Sequence, residues 1–152
     1  MEPQRSIPTS AATISGLLLV LISCAICAAQ TKTYAGCLSY EPAVVKLEGT
    51  LSRKTFPGPP NYESVVKGDR PETYWLLNLE RAACVDPDPK NADLNGPQKD
   101  VRIVQLVIDT KVHQTYAGLT GKHVVATGTL FGGITGHHHT PVLLTVATLA
   151  ER

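Results

Sequence analysis

The amino-acid sequence predicts a small domain built mainly from β-strands. Five stretches read as strands, because apolar and polar residues alternate in them or because they are almost continuously apolar. The 152 residues include 12 glycines and 11 prolines, which favour turns between such strands. Only one short stretch has helical spacing. No heptad or longer helical repeat is present, which excludes coiled coils and solenoids.

Composition narrows the class of protein further. A hydrophobic content of 43% is enough for a packed core and argues against a disordered chain. The 14 Lys and Arg residues nearly balance the 13 Asp and Glu residues, so the formal net charge is +1. A protein that binds through phosphate contacts is normally far more basic. We therefore expect no nucleic-acid partner.

The first strand is predicted at Ala43–Ser52. Gly49 interrupts it, and a glycine inside a strand pattern indicates a bulge or sharp bend. A long loop, Lys54–Pro71, follows, because its four prolines and two glycines oppose regular structure. Long ordered loops in compact domains are usually functional. The second strand is the aromatic-rich stretch Glu72–Leu79.

The third strand, Val101–Ile108, is almost continuously apolar, which predicts burial on both of its faces. A short helix is predicted at Thr110–Leu119, where apolar residues lie four positions apart. The fourth strand is Lys122–Leu130 and the fifth is His139–Leu149, with a glycine-rich loop between them.

This order of elements is that of an OB-fold, whose helix typically lies between the third and fourth strands. We therefore expect a mainly β fold, a five-stranded OB-fold-like antiparallel Greek-key barrel with one short helix. The segments Val45–Leu51 and Val124–Leu130 echo one another in sequence. We interpret the echo as two strands that cross the barrel, each with a bend at a glycine.

Residues 1–29 have the pattern of a secretory signal peptide. A polar start with Arg5 precedes an uncharged apolar run at residues 14–29, and small residues lie before the expected cleavage point. The run is shorter than the roughly 20 residues that a membrane span needs. The alternatives are an uncleaved anchor and a lipoprotein attached through Cys24. The barrel then occupies residues 30–152.

Two cysteines remain after residue 29, Cys37 and Cys84. An even pair in an exported chain predicts a disulfide. Antiparallel pairing of the first two strands brings the start of one and the end of the other together, which places both cysteines at one end of the barrel. We expect the protein to be periplasmic or secreted.

Four long and unusual segments are similar to a bacterial domain-of-unknown-function family, numbered 4431. They are Tyr34–Pro42, Thr55–Ser64, Gly68–Trp75 and Gly136–Leu144. The resemblance covers nearly all of the chain after residue 29. It implies an exported bacterial envelope protein and implies no activity.

The run His137-His138-His139 is the first candidate site. On an extended backbone His137 and His139 point the same way, and two imidazoles supply half of a tetrahedral site for zinc or another divalent metal. His123, on the fourth strand, is the expected third ligand. The alternatives are a surface loop whose imidazoles bond to backbone, and a pH switch. Alternatively, the third ligand is a carboxylate, from either Asp69 or Glu72.

The second candidate site is the aromatic, proline-rich loop. In OB-folds the loop between strands one and two and the loop between strands four and five border the ligand face. We therefore expect the aromatic loop and the histidines to meet at one rim, formed by residues 54–72 and 132–140. An alternative for Phe56 and Tyr62 is that their rings fill the mouth of the barrel. An alternative for Asp69, Arg70 and Glu72 is a solvated ion pair. The expected ligand-binding residues are Phe56, Tyr62, Asp69, Arg70, Glu72 and His138.

The sequence contains no Gly-x-Ser-x-Gly, P-loop or His-Glu-x-x-His motif, so we expect no enzyme. The predicted function is a non-catalytic binding module that holds a protein, a glycan or a small ligand at the rim. One alternative is a metal-binding or metal-dependent protein that uses His137 and His139; another is an inhibitor or immunity protein of a secreted enzyme. The partner is then an envelope protein or ligand. A membrane is involved only if Cys24 is lipidated or the signal segment is uncleaved.

Overall fold

The computed structural model describes residue 1 and residues 35–152. The predicted signal peptide, its cleavage point and the lipidation of Cys24 lie outside the described residues. Among the described residues, no helix is long and apolar enough to cross a membrane. The elements are β1 (Val44–Pro57), β2 (Pro71–Val85), β3 (Gln98–Val107), α1 (His113–Ala117), β4 (His123–Gly132) and β5 (Val142–Glu151), with 3-10 turns at Val65–Lys67 and Thr110–Val112.

The five strands close into a barrel in the order β1-β2-β3-β5-β4, and β4 pairs back onto β1. The predicted OB-like order and the helix between β3 and β4 are confirmed. One pair differs from the expected antiparallel arrangement, because β3 and β5 run parallel. The reason is geometric: a ring with an odd number of strands cannot be antiparallel at every joint. The sheet is therefore mixed.

Strands β1 and β2 are longer than the sequence pattern predicted. Their pairing continues from Gly49 opposite Leu79 to Pro57 opposite Pro71, so the connecting loop shortens to residues 58–70. The expectation that β3 is buried on both faces is wrong, since the side chains of Ile103 and Val107 are 42% and 40% exposed.

Two glycines at corresponding positions of the repeated segments shape the barrel. Across β1 and β4, Gly49 lies opposite Val124 and Val45 lies opposite Gly128. A Cβ atom on Gly49 would collide with the carbonyl oxygen of Asn78 on β2. A Cβ atom on Gly128 would collide in the same way with a carbonyl oxygen of β5. Both strands therefore need glycine where a neighbouring backbone approaches closely.

The barrel interior is packed with aliphatic side chains from every strand. The turn before α1, the helix and the residues after it add Val112, Tyr116 and Leu119 against this core. Burial of such side chains is the main favourable contribution to folding. Core residues with 1% exposure or less are Leu47, Leu51, Leu77, Val104, Val124, Ala126, Leu130, Val142 and Leu144.

The predicted disulfide is confirmed between Cys37 and Cys84, whose Cα atoms are 4.6 Å apart. Leu38 forms a parallel bridge with Val85 beside it. The amide of Leu38 donates to the carbonyl oxygen of Cys84 at 2.7 Å. The segment that leads into β1 is therefore fixed to the end of β2 by both covalent and backbone bonds.

Candidate functional site

Two loops meet at one end of the barrel through Tyr62 and His137. The phenol oxygen of Tyr62 lies 3.1 Å from Nε2 of His137, and the two rings meet edge to face with centroids 5.3 Å apart. Gly136 lies against the ring of Tyr62, where a Cβ atom would be 3.0 Å from the ring carbons. Tyr62 itself has a left-handed backbone with φ of 60°, an uncommon state for a residue other than glycine. The structure thus joins the β1–β2 loop to the β4–β5 loop.

Glu72 forms the centre of a hydrogen-bonded cluster at this rim. Its Oε2 lies 2.8 Å from Nδ1 of His137 and accepts a bond from the hydroxyl of Tyr74 at 2.6 Å. A carboxylate can only accept, so Nδ1 of His137 carries the proton. In the neutral imidazole, Nε2 then accepts from the hydroxyl of Tyr62. Carboxylate, imidazole and phenol therefore form one continuous chain of hydrogen bonds.

The pKa values of the cluster follow from these contacts. The hydrogen bonds from Tyr74 and then His137 hold the pKa of Glu72 below its usual value. Burial, together with the neighbouring carboxylate of Glu72, raises the pKa of Tyr74. Gly58 lies close against the side chain of Glu72, so a Cβ atom there would overlap with it. Glu72 is thus ionised and held in place at neutral pH.

Asp69, expected to bind a ligand, is 4% exposed and is used inside its own loop. Its carboxylate accepts from the backbone amides of Asn61, Glu63 and Ser64 at 2.9, 2.8 and 2.8 Å. The bond from Ser64 is the largest cause of the lowered pKa of Asp69. Arg70 is exposed, and its charge helps to lower the pKa of Glu72. Asp69 therefore orders the loop.

His139 and Phe56 stack on each other at the rim. Their ring centroids are 3.9 Å apart, and their planes differ by 1°. Tyr74 contacts the same imidazole with a centroid distance of 4.9 Å. Burial lowers the pKa of His139, and within the described residues its buried Nε2 has no hydrogen-bond partner. One face of Phe56 is thus covered by a histidine ring.

Gln105 of β3 holds the histidine loop from beneath. Its side chain is 2% exposed, its Nε2 donates to the carbonyl oxygen of His137 at 2.9 Å, and its Oε1 accepts from the amide of His139 at 2.8 Å. The backbone amide of Gln105 donates to the hydroxyl of Thr140 at 3.0 Å. The buried side-chain amide of Gln105 therefore has a partner for both its nitrogen and its oxygen.

His138 contacts Ile134 and Phe131 on its own side of the loop connection. Its Nδ1 accepts from the amide of Ile134 at 3.0 Å, and its ring meets Phe131 edge to face. Burial, and then the nearby charge of His137, lowers the pKa of His138. A lowered pKa and an accepting Nδ1 both favour the neutral ring. Its Nε2 therefore carries the proton.

The structure does not bring His123 to the other histidines. His123 pairs with Thr50 on β1, and its Nε2 lies 3.7 Å from Oε2 of Glu80. Phe56, which stacks on His139, is six positions from Thr50 along β1. At 3.3 Å per residue this is a separation of roughly 20 Å. Within residue 1 and residues 35–152, no group of three His, Cys, Asp or Glu side chains is placed to hold a metal ion.

Beneath the rim lies a cleft of about 290 Å³, which we call the β2–β3 cleft. Its walls are residues 73–75 of β2, residues 105–108 at the end of β3, His113, and the two histidines His137 and His138. No Asp, Glu, Lys or Arg lines it. No pattern in the sequence indicates that β2 and β3 separate next to Trp75.

One family model matches part of the chain. Residues 103–150 match the model of a domain of unknown function (DUF4431), which supports the family assignment that the sequence predicted. The match covers the second half of β3, all of α1 and β4, and most of β5. It therefore includes the histidine loop and one wall of the β2–β3 cleft. No curated protein and no solved structure matches the chain.

Proposed function

We propose that this chain, whose C-terminal part carries the DUF4431 match, is an exported bacterial binding module that holds its ligand in the β2–β3 cleft. The observation that carries the proposal is the position of His137. Its imidazole links Tyr62 on one loop to Glu72 on β2, and its ring forms part of the cleft wall. The two loops and the cleft are therefore one structure.

Hydrogen bonds within the chain hold both loops of the rim, which supports binding as its role. Gln105 fixes the histidine loop through two hydrogen bonds, and Asp69 fixes the aromatic loop through bonds to three backbone amides. Ordering mobile loops on binding costs free energy, so a preformed site binds more tightly. Glu72 and His137 bond to each other and to two tyrosines, so these four side chains hold one another in place.

Export is supported by the disulfide between Cys37 and Cys84, since such bonds persist mainly outside the cytosol. The test is fractionation of a bacterial host that expresses the full chain. We expect the protein in the periplasm or medium, with no titratable thiol on Cys37 or Cys84. A cytosolic protein with both thiols free would contradict export.

Binding is tested with two matched variants of β3, Val107→Lys and Ile103→Lys. Their side chains are similarly exposed, but only Val107 lines the cleft. The protein is titrated with panels of soluble glycans, peptides and small metabolites while its amide NMR spectrum is recorded. We expect binders to shift the signals of residues 73–75, and Val107→Lys alone to abolish the effect. Binders that map elsewhere, or no binder at all, would refute the proposal.

A further inference from the structure

Strand β2 has an unpaired edge beside the cleft. Its pairing with β3 ends at Trp75 opposite Leu106, while the next residue of β3, Val107, pairs with Thr145 on β5. Residues 71–74 of β2 still pair with β1 on their other side. Within residues 35–152 they have no strand partner on the β3 side. The two strands therefore separate, and four residues of β2 present a free edge.

The cleft runs along this edge. Three consecutive residues of β2, at 73–75, line it. Successive side chains of a strand point to opposite faces, so side chains alone would bring only alternate residues to a cavity over one face. The lining by consecutive residues fits a cavity that also contacts the main chain of β2 where its pairing with β3 ends. Its opposite wall is the end of β3, where 106–108 are also consecutive.

We propose that the ligand of the β2–β3 cleft is an extended, uncharged peptide segment that pairs with residues 71–74 as an added strand. This inference rests on the proposed binding function and names the ligand class. An unpaired strand edge offers amide and carbonyl groups at strand spacing, which another extended chain matches best. The edge spans about 13 Å, enough for about four residues of the ligand.

The side chains of the cleft define the composition of this peptide. No charged residue lines the walls, so a buried Lys, Arg, Asp or Glu of the ligand would lack a partner. Leu106, Val107 and Ile108 offer aliphatic contact on the β3 side. Thr73 adds a hydroxyl group to the wall on the β2 side. Alternating small aliphatic and hydroxyl side chains fit both.

Pro71 limits how far the added strand extends. It begins β2 and has no amide proton, so it cannot donate to a partner strand. The open edge therefore includes one residue that only accepts, next to the rim cluster of Glu72 and His137. Pairing by the ligand is confined to a short register between Pro71 and Trp75.

The experiment uses the full chain and a synthetic library of acetylated pentapeptide amides built from Ser, Thr, Val, Ile and Phe. Binding is followed by amide NMR shifts and by hydrogen exchange. We expect the best peptides to shift residues 73–75 and 106–108 and to slow amide exchange at Thr73, because alternate residues of β2 face β1 and Thr73 faces the open edge. The same peptides with alternate backbone nitrogens methylated are the matched control, because methylation removes donors and keeps the side chains. Their binding should be at least tenfold weaker.

The outcomes separate this inference from the proposed function. If no peptide pool shifts residues 73–75 while a glycan or metabolite does, the peptide inference is wrong and the binding function stands. If methylated and unmethylated peptides bind equally, the ligand does not pair with the strand and the inference is also wrong. If no compound of any class perturbs the cleft, both proposals fail. Val107→Lys should abolish peptide binding, and Ile103→Lys should retain it.

Discussion

The side-chain amide of Gln105 binds the backbone of the histidine loop, with Nε2 donating to the carbonyl oxygen of His137 at 2.9 Å. Its Oε1 accepts from the amide of His139, so one side chain pairs with the loop as a neighbouring strand would. This arrangement holds a glycine-rich loop in one conformation over β3. The positions of the His137 and His139 rings therefore depend on a residue more than 30 positions earlier in the chain.

Replacing Gln105 with Leu is expected to destabilise the protein. Leucine fills the volume but leaves two partly buried groups, the carbonyl oxygen of His137 and the amide of His139, without these bonds, which costs about 1–3 kcal/mol for the two together. The free energy of unfolding, from urea denaturation, should fall by that amount. Gln114→Leu on the exposed side of α1 is the matched control and should change little. Equal effects of both changes would show that the Gln105 bonds contribute nothing specific.

Alanine at either bend glycine is expected to disrupt the barrel. A methyl group on Gly49 would overlap with the carbonyl oxygen of Asn78, and one on Gly128 with that of Thr145. Since backbone must move to relieve such contact, each change should cost at least about 1–3 kcal/mol. Gly118→Ala, which meets no atom within 4 Å and has a right-handed backbone, should be neutral or slightly stabilising. Thermal denaturation of the three variants compares them directly.

Acid is expected to weaken the aromatic loop through Asp69. Backbone amides, that of Ser64 foremost, lower the pKa of its carboxylate in the folded protein. The unfolded chain therefore takes up the proton first, and the stabilisation is lost as pH falls from about 4 through the lower folded pKa. Asp69→Asn should reduce stability at neutral pH and flatten its decline in this acid range. Unfolding free energies at several pH values measure both effects.

Asp93→Asn is the control for the acid experiment, because Asp93 is exposed. This variant should leave the steepness of the acid decline unchanged. If Asp69→Asn also keeps the wild-type pH dependence, the hydrogen bonds to Asp69 do not contribute to stability in the way we derive.

The sequence predicted the arrangement of strands well where alternation and glycine positions carry the information. The echo between Val45–Leu51 and Val124–Leu130 corresponds to two strands that pair with each other. The ends of β1 and β2 were not predictable in this way. Arg53, Lys54 and Thr55 are all exposed and show no alternation, yet they are strand because they pair with residues 73–75. Pairing with a distant segment of the chain, and not the local pattern, therefore makes these residues part of a strand.

The rim was predictable only in part. The triple histidine indicated a site at the β4–β5 loop. Its partner Glu72 is 65 positions from His137 in the chain, so the pair could not be predicted from neighbouring residues. Because side chains alternate along an extended backbone, His137 and His139 were predicted to point the same way and to bind a metal ion. In the structure one ring binds Glu72 and the other stacks on Phe56. Such partners are determined by how β2 and the loop meet, which no local pattern contains.

Removing the disulfide is expected to cost roughly 4 kcal/mol in the chain-entropy model, because Cys37 and Cys84 close a loop with a sequence separation of 47. The double variant Cys37→Ala/Cys84→Ala should lower the free energy of unfolding accordingly, and reduction of the wild-type protein should match it. Residual stability of the first segment can come from the bonds between Leu38 and its neighbours on β2. A variant as stable as the oxidised protein would contradict this prediction.

The contact between Tyr62 and His137 is expected to couple the two loops energetically. The hydroxyl of Tyr62 makes a 3.1 Å bond to Nε2, so Tyr62→Phe removes one bond and keeps the ring contact. In a double-mutant cycle with His137→Ala, the coupling free energy should be about 0.5–1 kcal/mol. A cycle that pairs His137→Ala with Tyr116→Phe, whose ring packs against the barrel core, should be additive. Coupling indistinguishable between the cycles would mean that the loops form independently. In that case the cleft would not share a preformed rim with Tyr62.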